Sequence, residues 1–340
     1  MNMSETPKVP STLEVEDLVI DFRTGGSLFN PTVLRAVSEV SFELTTGQAL
    51  AIVGESGSGK STVARALCRL YAPSAGQVRL DGVDVNAAET SASQRDYARD
   101  VQMIFQDPFG SLNPVHTIRH HLRRPVKIHN PGLTADEVEE RVIELIERVG
   151  LSPAKQTADR FPYELSGGQR QRVAIARALA VGARYILADE PISMLDVSIR
   201  LGILNLMDDM KRDGIGFMYI THDIATARYF AERTAVMYVG HMVEWGDSDA
   251  VTQKPQHPYT QLLISAVPEA GRSGRRELKA KKGDIPVRTP ESVGCPFAGR
   301  CLQAREECHK AMPPVTKLAE DHFVRCFLFD QDGAAPASAA

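Results

Sequence analysis

Short apolar runs alternate with amphipathic stretches along most of the chain. Apolar periodicity and turn residues predict strands at Leu13 to Phe22, Val33 to Leu44, Ala49 to Val53, Val78 to Val85, Val101 to Phe105, Tyr185 to Ala188 and Phe217 to Ile220. The run Ala49 to Val53 is entirely apolar, which is typical of a buried central strand. Strands that alternate with helices predict an α/β fold built on a sheet.

Apolar positions spaced three to four residues apart predict helices between these strands. The predicted helices are Ser61 to Tyr71, Ala135 to Val149 and Gln171 to Ala180. In the second of these, Thr134 and Glu137 have the spacing of a capping box, and Gly150 is placed to end the helix. The helical pattern therefore has readable start and stop positions as well as an apolar face.

The region between residues 107 and 180 is mainly helical in pattern, which predicts a helical subdomain inserted into the sheet domain. Within it, Pro108 to Pro131 contains several prolines and is predicted to be irregular. A polar stretch rich in arginine and lysine, Glu269 to Gly283, is the best candidate for a linker. We expect a nucleotide-binding domain over 12–255, a second domain over 256–330, and a disordered tail over 331–340.

Composition limits the class of protein. The 340 residues are enough for two domains, and 43% hydrophobic with 24% charged residues is ordinary for a soluble globular protein. A net charge of −4 gives no indication of nucleic-acid binding. No apolar run approaches the roughly 20 residues that span a bilayer, and the first residues lack the apolar core of a signal peptide. We therefore expect the chain to stay in the cytoplasm.

A glycine-rich loop joins the strand predicted at Ala49 to Val53 to the helix that follows it. Its sequence runs Gly54, Glu55, Ser56, Gly57, Ser58, Gly59, Lys60, Ser61 and Thr62. This spacing, between a strand and a helix, is typical of a loop whose backbone N–H groups bind nucleotide phosphates. We expect Lys60 to reach the β- and γ-phosphates and the Ser61 hydroxyl to coordinate Mg²⁺.

Two carboxylates follow the apolar run Tyr185 to Ala188. Asp189 and Glu190 emerge at the carboxyl end of a predicted strand, where open α/β sheets bind ligands. Adjacent residues of a strand point to opposite faces, so the two carboxylates can have different tasks. Asp189 suits the Mg²⁺ shell, and Glu190 suits the general base that orients and deprotonates an attacking water.

The segment Leu165-Ser166-Gly167-Gly168-Gln169 predicts a second exposed helix N-terminus. Ser166 and Gln169 have the spacing of a capping box, while Gly167 and Gly168 permit close approach of a backbone. Such a terminus can receive an anion. Because the chain already has a phosphate loop, a second terminus of this kind makes sense if it covers the nucleotide of a neighbouring molecule.

These three motifs, in this order, resemble those of the ATPase subunits of ABC transporters over residues 12–250. The resemblance implies a P-loop NTPase fold with an inserted helical subdomain. It implies that ATP and Mg²⁺ are bound, and that hydrolysis needs two subunits paired head to tail. It also implies that Gln106 touches Mg²⁺ and the attacking water, and that His222 contacts the γ-phosphate. Phe22 is the candidate for stacking on adenine, and the alternative is a core residue.

One segment differs from the pattern of that family. Asp196 resembles the residue of the loop that crosses the dimer interface in ABC ATPases. Threonine and alanine are usual in the family where Ile192 and Met194 stand in this chain. Both residues here are bulkier and apolar, so the detailed contacts across the interface are expected to differ.

Two further segments narrow the resemblance. The segments 257–260 and 295–301, with sequences HPYT and CPFAGRC, resemble the ATPases of bacterial dipeptide and oligopeptide importers. The segment Phe105 to Pro114 is similar to the same branch. Relatives within this branch also import oligosaccharides, glutathione and nickel, so the solute stays open.

The last third of the chain contains four cysteines, Cys295, Cys301, Cys308 and Cys326. Four thiolates can hold a [4Fe–4S] cluster or a tetrahedral Zn²⁺ ion. The spacing lacks the C-x2-C pairs common in zinc sites, and the resemblance implies an iron–sulfur cluster, which relatives with this tail bind. The alternative is a set of four reduced structural cysteines. Cys68 is separate and is expected to be a small core residue.

Together these features predict an ATP-hydrolysing subunit that energises a bacterial importer of di- or oligopeptides or a related solute. The expected partners are a second ATPase subunit, identical or paralogous, two transmembrane permease subunits and a solute-binding protein, with no nucleic acid. Such a chain would lie at the cytoplasmic face of the plasma membrane. The alternatives are a soluble ABC protein without a membrane partner, a P-loop kinase or GTPase, and an exporter subunit.

Overall fold

A computed structural model of the protein describes residues 10–27, 30–86, 91–266, 281 and 284–330. The predicted linker, apart from Lys281, and the predicted tail lie outside the described residues. The chain divides into two compact units. The first comprises Met1–Glu14, Glu43–Gln48 and Val78–Phe217, and the second comprises Val15–Phe42, Ala49–Gln77 and Met218–Ala340.

Strands and helices alternate through most of the described chain. The strands are β1 (Thr12–Ser27), β2 (Asn30–Thr45), β3 (Ala49–Val53), β4 (Ala75–Leu80), β5 (Val83–Asp84), β6 (Val101–Ile104), β7 (Tyr185–Asp189), β8 (Gly216–Thr221), β9 (Arg233–Tyr238), β10 (His241–Asp247), β11 (Val315–Ala319) and β12 (His322–Arg325). The α-helices are α1 (Lys60–Leu67), α2 (Ser91–Asp100), α3 (Ile118–His129), α4 (Ala135–Arg148), α5 (Ala154–Asp159), α6 (Gly167–Leu179), α7 (Val197–Arg212), α8 (Ile224–Phe230), α9 (Ser248–Gln253), α10 (Pro258–Ser265) and α11 (Glu307–Lys310). Among the described residues, no helix combines the length and apolarity needed to cross a bilayer.

In the first unit, β6 and β7 form a parallel pair in which Val101 faces Tyr185 and Ile104 faces Ala188. Every residue of β7 is buried, as its apolar sequence predicts. Because the strands are parallel, the segments that follow them leave the pair at the same edge. Gln106 lies two residues after the end of β6, and Glu190 follows β7 directly, so the two strands place these residues at one end of the pair.

Helices α3 to α6 pack against one another in the same unit. Helix α4 confirms the sequence prediction: Thr134 and Glu137 form the capping box in both directions, and the buried positions are those of the predicted apolar face. The helix ends at Arg148, and Gly150 follows it with a φ of 71°. The left-handed conformation at Gly150 is the usual way in which a helix ends.

The prediction of an irregular segment at Pro108 to Pro131 was wrong, because Ile118–His129 is helix α3. Thr117 caps this helix by accepting a hydrogen bond from the N–H of His120. Ile118, Leu122 and Val126 are completely buried at a spacing of four residues. Pro125 lies inside the helix, and burial of this stripe offsets the backbone hydrogen bond that a proline cannot donate.

In the second unit, one sheet has the strand order β11-β12-β10-β9-β3-β8. β3 lies parallel to β9, with Val53 facing Val236, whereas β9, β10, β12 and β11 are successively antiparallel. Trp245 of β10 faces Phe323 of β12, and their rings stack with centroids 5.7 Å apart. The C-terminal strands therefore extend the same sheet that holds the glycine-rich loop.

Two predicted elements have different limits in the structure. Helix α1 ends at Leu67 rather than Tyr71, because Cys68 ends the helix and Arg69 takes a left-handed φ of 58°. The strand predicted at Val78 to Val85 is a hairpin, in which β4 and β5 pair antiparallel around Asp81 and Gly82. Both residues of that turn have positive φ angles, which forces the chain to reverse.

Candidate active site

The backbone of the glycine-rich loop is pressed against neighbouring strands of the second unit. A Cβ atom at Gly54 would lie 2.2 Å from the carbonyl oxygen of Met237, and one at Gly59 would lie 2.5 Å from that of Ala36. Gly59 also has a φ of 101°. Any side chain at either position would collide with backbone, so these two glycines are required for the loop to fit where it does.

Lys60 is held inside this loop. Its Nζ donates hydrogen bonds to the carbonyl oxygens of Gly54 at 2.8 Å and Glu55 at 2.9 Å, and the residue is only 4% exposed. Helix α1 begins at Lys60, so Ser61 and Thr62 lie in its first turn. The loop thus brings an ammonium group, a hydroxyl group and a helix N-terminus together, which is an arrangement suited to phosphate.

In the first unit, Gln106 and Glu190 are in direct contact. Nε2 of Gln106 donates a hydrogen bond of 2.9 Å to Oε2 of Glu190. Glu190 has a left-handed φ of 46°, which is uncommon for a residue with a side chain and which concentrates at functional sites. Ser193 stabilises this turn, because its Oγ donates a hydrogen bond of 3.0 Å to the carbonyl oxygen of Glu190. Asp189, the last residue of β7, is 2% exposed.

The predicted capping box at Ser166 is present. The Ser166 Oγ accepts a hydrogen bond of 3.3 Å from the Gln169 N–H, and the Ser166 N–H donates one of 3.0 Å to the Gln169 Oε1. Because of this box, α6 begins at Gly167, four residues earlier than predicted. The guanidinium of Arg170 lies over the ring of Phe109 at 4.2 Å from its centroid. The N-terminus of α6 is therefore fixed by backbone, side-chain and cation–π contacts.

Ile192 and Met194, which differ from the usual residues of the family, lie in different environments. Ile192 is buried, whereas Met194 is 57% exposed. Asp196 precedes the first residue of α7 as its N-cap. The bulk of Ile192 is thus accommodated in the interior of the first unit, and Met194 presents a flexible apolar side chain at its surface.

Phe22 and His222 belong to the second unit. The ring of Phe22 packs edge to face on that of Tyr71, with centroids 5.0 Å apart and an interplanar angle of 82°. Phe22 is partly exposed, so one part of its ring is covered by Tyr71 and another is open. His222 lies directly after β8 and before Asp223, whose side chain caps α8 by accepting a hydrogen bond from the Ala225 N–H. Their contacts with adenine and the γ-phosphate stay predictions.

The four clustered cysteines line one cavity, together with Phe297 and His257. Burial raises the pKa of the Cys295 thiol to about 12 and that of Cys326 to about 11, which keeps both protonated at neutral pH. Within the part of the chain that the structure describes, no group of three or more His, Cys, Asp or Glu side chains is arranged to hold a metal ion. The shared cavity brings the four predicted cysteines together, and the cluster itself stays a prediction.

Comparison with known proteins identifies the family. A model described as "ABC transporter" matches residues 37–193, and one described as "Oligopeptide/dipeptide transporter, C-terminal region" matches residues 243–308. The chain is 41% identical over 322 residues to the oligopeptide transport ATP-binding protein AppF of Bacillus subtilis, covering 93% of this chain and 97% of AppF. It is also 41% identical to OppF of Haemophilus influenzae, covering 92% of this chain and 96% of OppF.

This chain belongs to the ATP-binding subunits of ABC transporters, in the oligopeptide/dipeptide branch. Solved structures of ABC cassettes resemble it as well. The cassette MJ0796, in a dimeric post-hydrolysis state bound to ADP and Pi, has a TM-score of 0.62 and 29% identity, covering 69% of this chain and 98% of its own. The cassette cbiO1 from Clostridium perfringens has a TM-score of 0.61 and 25% identity, covering 72% of this chain and 91% of its own.

Membership in this family confirms the predicted P-loop ABC-ATPase fold and the prediction that the chain is an ATPase that uses ATP and Mg²⁺. The strand pattern placed Glu190 at the attacking water and the family resemblance placed Gln106 there, and their side chains are in contact in the structure. Sequence reasoning did not find the contacts that Tyr259 and Arg300 make with Glu55 of the glycine-rich loop. Both residues were noticed only as features of the peptide-importer branch.

Proposed function

We propose that this ABC ATPase energises the import of di- or oligopeptides through a membrane permease. The proposal is supported by relatives named as oligopeptide transport ATP-binding proteins and by the C-terminal match to the oligopeptide/dipeptide transporter family. The proposed assembly pairs two ATPase subunits, identical or paralogous, with two permease subunits at the cytoplasmic face of the membrane, and a separate binding protein delivers the solute. An oligosaccharide, glutathione or nickel is the alternative solute.

Glu190 is proposed as the general base of hydrolysis, and its contact with Gln106 is the observation that carries the assignment. A carboxylate that must accept a proton from an attacking water has to be aimed at that water. The Gln106 amide donates to Oε2 of Glu190 and so restricts the orientation of the carboxylate. Gln106 is thus proposed to couple Glu190 to the membrane permease.

The glycine-rich loop is proposed to bind the triphosphate. Lys60 would transfer its hydrogen bonds from the loop carbonyls to the β- and γ-phosphate oxygens, where a fixed positive charge lowers the barrier to phosphoryl transfer. Ser61 and Asp189 supply the hydroxyl and carboxylate oxygens that suit Mg²⁺. Mg²⁺, when bound, would neutralise charge on the phosphates. His222 is proposed to hold the γ-phosphate, and Phe22 to contact adenine.

The capped N-terminus of α6 is proposed to complete the site of a second subunit. The box between Ser166 and Gln169 leaves other N–H groups of the first turn able to meet an anion. The segment Ser166 to Gln169 would therefore cover the γ-phosphate held by the partner's loop. Hydrolysis would then require two subunits, and the exposed Met194 would lie in a segment that contributes to their contact.

Replacement of Glu190 tests this function. Glu190→Gln should retain ATP binding and the hydrogen-bonding shape of the side chain, but lower kcat by at least about 100-fold because the amide cannot accept the proton. ATP should then accumulate in a closed dimer, measurable by light scattering. Asp213→Asn is the control, since this exposed carboxylate forms an ion pair with Arg148 at the surface of the first unit. Normal turnover by Glu190→Gln would refute the assignment.

The solute requires a separate experiment. The ATPase is reconstituted with its permease in proteoliposomes, and hydrolysis is measured with a series of candidate solutes delivered by the binding protein. Stimulation by di- or oligopeptides, and not by glutathione, oligosaccharides or Ni²⁺, is the expected result. Stimulation by one of the other solutes alone would leave the ATPase assignment intact and reject peptide import.

We further propose that the cavity lined by the four cysteines holds a [4Fe–4S] cluster, with Zn²⁺ as the alternative. Four thiols around one cavity are the right donor set, although they do not converge on one point in this structure. Anaerobically purified protein should be brown and contain iron and sulfide, and Cys308→Ser should lose both, whereas Cys68→Ser should not. A colourless protein with zinc, or with no metal, would reject the cluster.

A further inference from the structure

A bidentate ion pair links the C-terminal segment to the glycine-rich loop. One guanidinium nitrogen of Arg300 lies 2.8 Å from Oε2 of Glu55, and the other lies 3.0 Å from Oε1. The side chains of Arg300 and Glu55 are 16% and 28% exposed, so the pair is largely shielded from water. A fork of two parallel charge-assisted hydrogen bonds fixes direction as well as distance, which a single contact does not.

Tyr259 holds the same loop residue through its backbone. The N–H of Glu55 donates a hydrogen bond of 2.8 Å to the hydroxyl of Tyr259. The ring of Tyr259 is completely buried and packs on Tyr238 and Phe297, with centroids 4.4 Å and 5.4 Å away. Arg300 also donates to the Tyr238 hydroxyl at 3.1 Å. The two groups that hold Glu55 therefore rest on one rigid aromatic cluster.

Glu55 is also one of the two loop residues whose carbonyl oxygens hold Lys60. Its carbonyl oxygen accepts a hydrogen bond of 2.9 Å from the Lys60 ammonium. One residue of the loop thus connects to Arg300 through its side chain, to Tyr259 through its N–H and to Lys60 through its carbonyl. A displacement of Glu55 would move the ammonium group that is proposed to meet the phosphates.

We propose that Arg300 and Tyr259 are positioning residues that hold the phosphate loop in its ATP-binding shape. The proposal rests on the proposed role of the loop in binding phosphate. A loop that is already ordered does not lose that conformational freedom when ATP binds. The guanidinium also neutralises Glu55, whose carboxylate would otherwise repel a triphosphate bound to the same loop. The C-terminal segment is then part of the nucleotide site, although it is remote in sequence.

The first experiment compares Arg300→Ala with the full-length wild-type chain. The Kd for ATP is measured by competition with a fluorescent nucleotide, and KM and kcat are measured in the reconstituted transporter. Arg300→Ala should raise Kd and KM about tenfold, equivalent to about 1.4 kcal/mol, and leave kcat within about twofold. Arg300→Lys keeps the positive charge but cannot form the bidentate pair, so its Kd and KM should lie between those of the wild type and Arg300→Ala. Lys310→Ala, which removes an exposed cation paired with Glu306, is the matched control.

Tyr259→Phe provides a second variant that preserves the buried ring. Loss of the hydroxyl should raise Kd about threefold. Because both residues hold Glu55, the effects of Tyr259→Phe and Arg300→Ala should be less than additive in the double variant. Thermal unfolding of every variant checks that the chain remains folded. Full additivity of the two effects would show that Tyr259 and Arg300 act independently, and would overturn the proposal that both act through Glu55.

Lys60→Ala separates failure of this proposal from failure of the proposed phosphate site. Loss of ATP binding in Lys60→Ala, together with unchanged Kd in folded Arg300→Ala and Tyr259→Phe, would overturn the positioning role alone. Normal ATP binding by Lys60→Ala would reject the phosphate loop itself. The expected result is loss of binding in Lys60→Ala and a graded weakening in the three variants of the C-terminal contacts.

Discussion

Nε2 of His322 lies 2.8 Å from Oε1 of Glu244, a carboxylate that is completely shielded from solvent. The same carboxylate accepts hydrogen bonds of 2.8 Å from the N–H groups of Gln256 and His257. Glu244 therefore joins β10, which contains it, to β12 and to the start of α10. Since Tyr259 lies in the first turn of α10, this contact also sets the position from which Tyr259 meets the loop.

Removal of the Glu244 carboxylate should destabilise the protein strongly. Glu244→Ala leaves three polar groups without their acceptor, and two of them belong to the buried residues His257 and His322, so we expect the free energy of unfolding to fall by about 3 kcal/mol. Glu244→Gln retains part of the acceptor capacity and should cost less. Urea denaturation followed by circular dichroism measures both values. Glu320→Ala, at an exposed position near β12, should change stability by less than about 0.5 kcal/mol, and an equally small effect of Glu244→Ala would contradict this account.

Truncation of Gln106 should slow hydrolysis without weakening nucleotide binding. Gln106→Ala removes the amide that donates to the Glu190 carboxylate, so the orientation of the carboxylate is less restricted and kcat should fall about tenfold. Gln106→Glu should be slower still, because two carboxylates would then face each other. The readout is kcat and KM of the reconstituted transporter.

Gln102→Ala is the control for the Gln106 variants. Gln102 lies on β6, the strand that ends two residues before Gln106, and its amide contacts the carbonyl oxygen of Ala98 rather than a carboxylate. Its truncation should leave kcat within about twofold of the wild type. Equal loss of activity in Gln102→Ala and Gln106→Ala would indicate a general effect on β6 and not a role of the amide at Glu190.

Two matched capping boxes separate stability from activity at the N-terminus of α6. Ser166→Ala and Thr134→Ala each remove the cap of a helix and should lower stability by about 1 kcal/mol. Only Ser166→Arg should block hydrolysis, because its bulk would prevent the approach of a second subunit's phosphates while ATP binding to the monomer persists. Thr134→Arg serves as the control for bulk. Full ATPase activity of Ser166→Arg would reject the two-subunit site.

Stability should depend on pH through His241. Burial and the nearby cations Arg288, Arg325 and Arg35 lower the pKa of His241 to about 3, and neither of its ring nitrogens has a hydrogen-bond partner within the described structure. The folded state keeps this imidazole neutral, whereas the unfolded chain binds a proton below its ordinary pKa of about 6.5. The stability that depends on a neutral His241 imidazole is therefore fully present above about pH 6.5 and is lost as the pH falls toward 3.

The variant His241→Leu isolates this dependence. Between pH 7.5 and pH 5.5, the wild type should lose about 1.4 kcal/mol more stability than the variant, as measured by urea denaturation at both values. At pH 7.5 the variant should be at least as stable as the wild type, because leucine buries no unsatisfied nitrogen. Identical pH profiles for the two proteins would show that His241 titrates normally.

Features that depend on neighbouring residues could be predicted from the sequence. The capping boxes at Thr134 and Ser166 lie within four residues each, so the residue types alone indicated them, and both are present. The apolar run Ala49–Val53 gave the limits of β3 correctly. Helix α3 is also indicated by Thr117 and the spacing of Ile118, Leu122 and Val126, but the prolines at 108, 114, 125 and 131 favour an irregular segment.

Contacts between distant residues gave no such indication. Arg300 and Glu55 are separated by 245 positions, and neither periodicity nor spacing connects them. The buried position of Glu244 was equally hidden, because a glutamate is almost never fully buried unless it is paired, and its partners Gln256, His257 and His322 lie elsewhere in the chain. These contacts follow from the way β10, β12 and α10 are placed in the second unit, which depends on tertiary packing rather than on local pattern.

The ion pair between Glu55 and Arg300 cannot form until most of the chain has been synthesised. The ribosome synthesises Glu55 early and Arg300 only 245 residues later. During most of translation, the loop therefore lacks the guanidinium group that pairs with Glu55. Loop closure over so long a stretch is slow to form and depends on the rest of the fold. A nascent chain interrupted before its C-terminal segment would consequently have an intact motif but an unfinished nucleotide site.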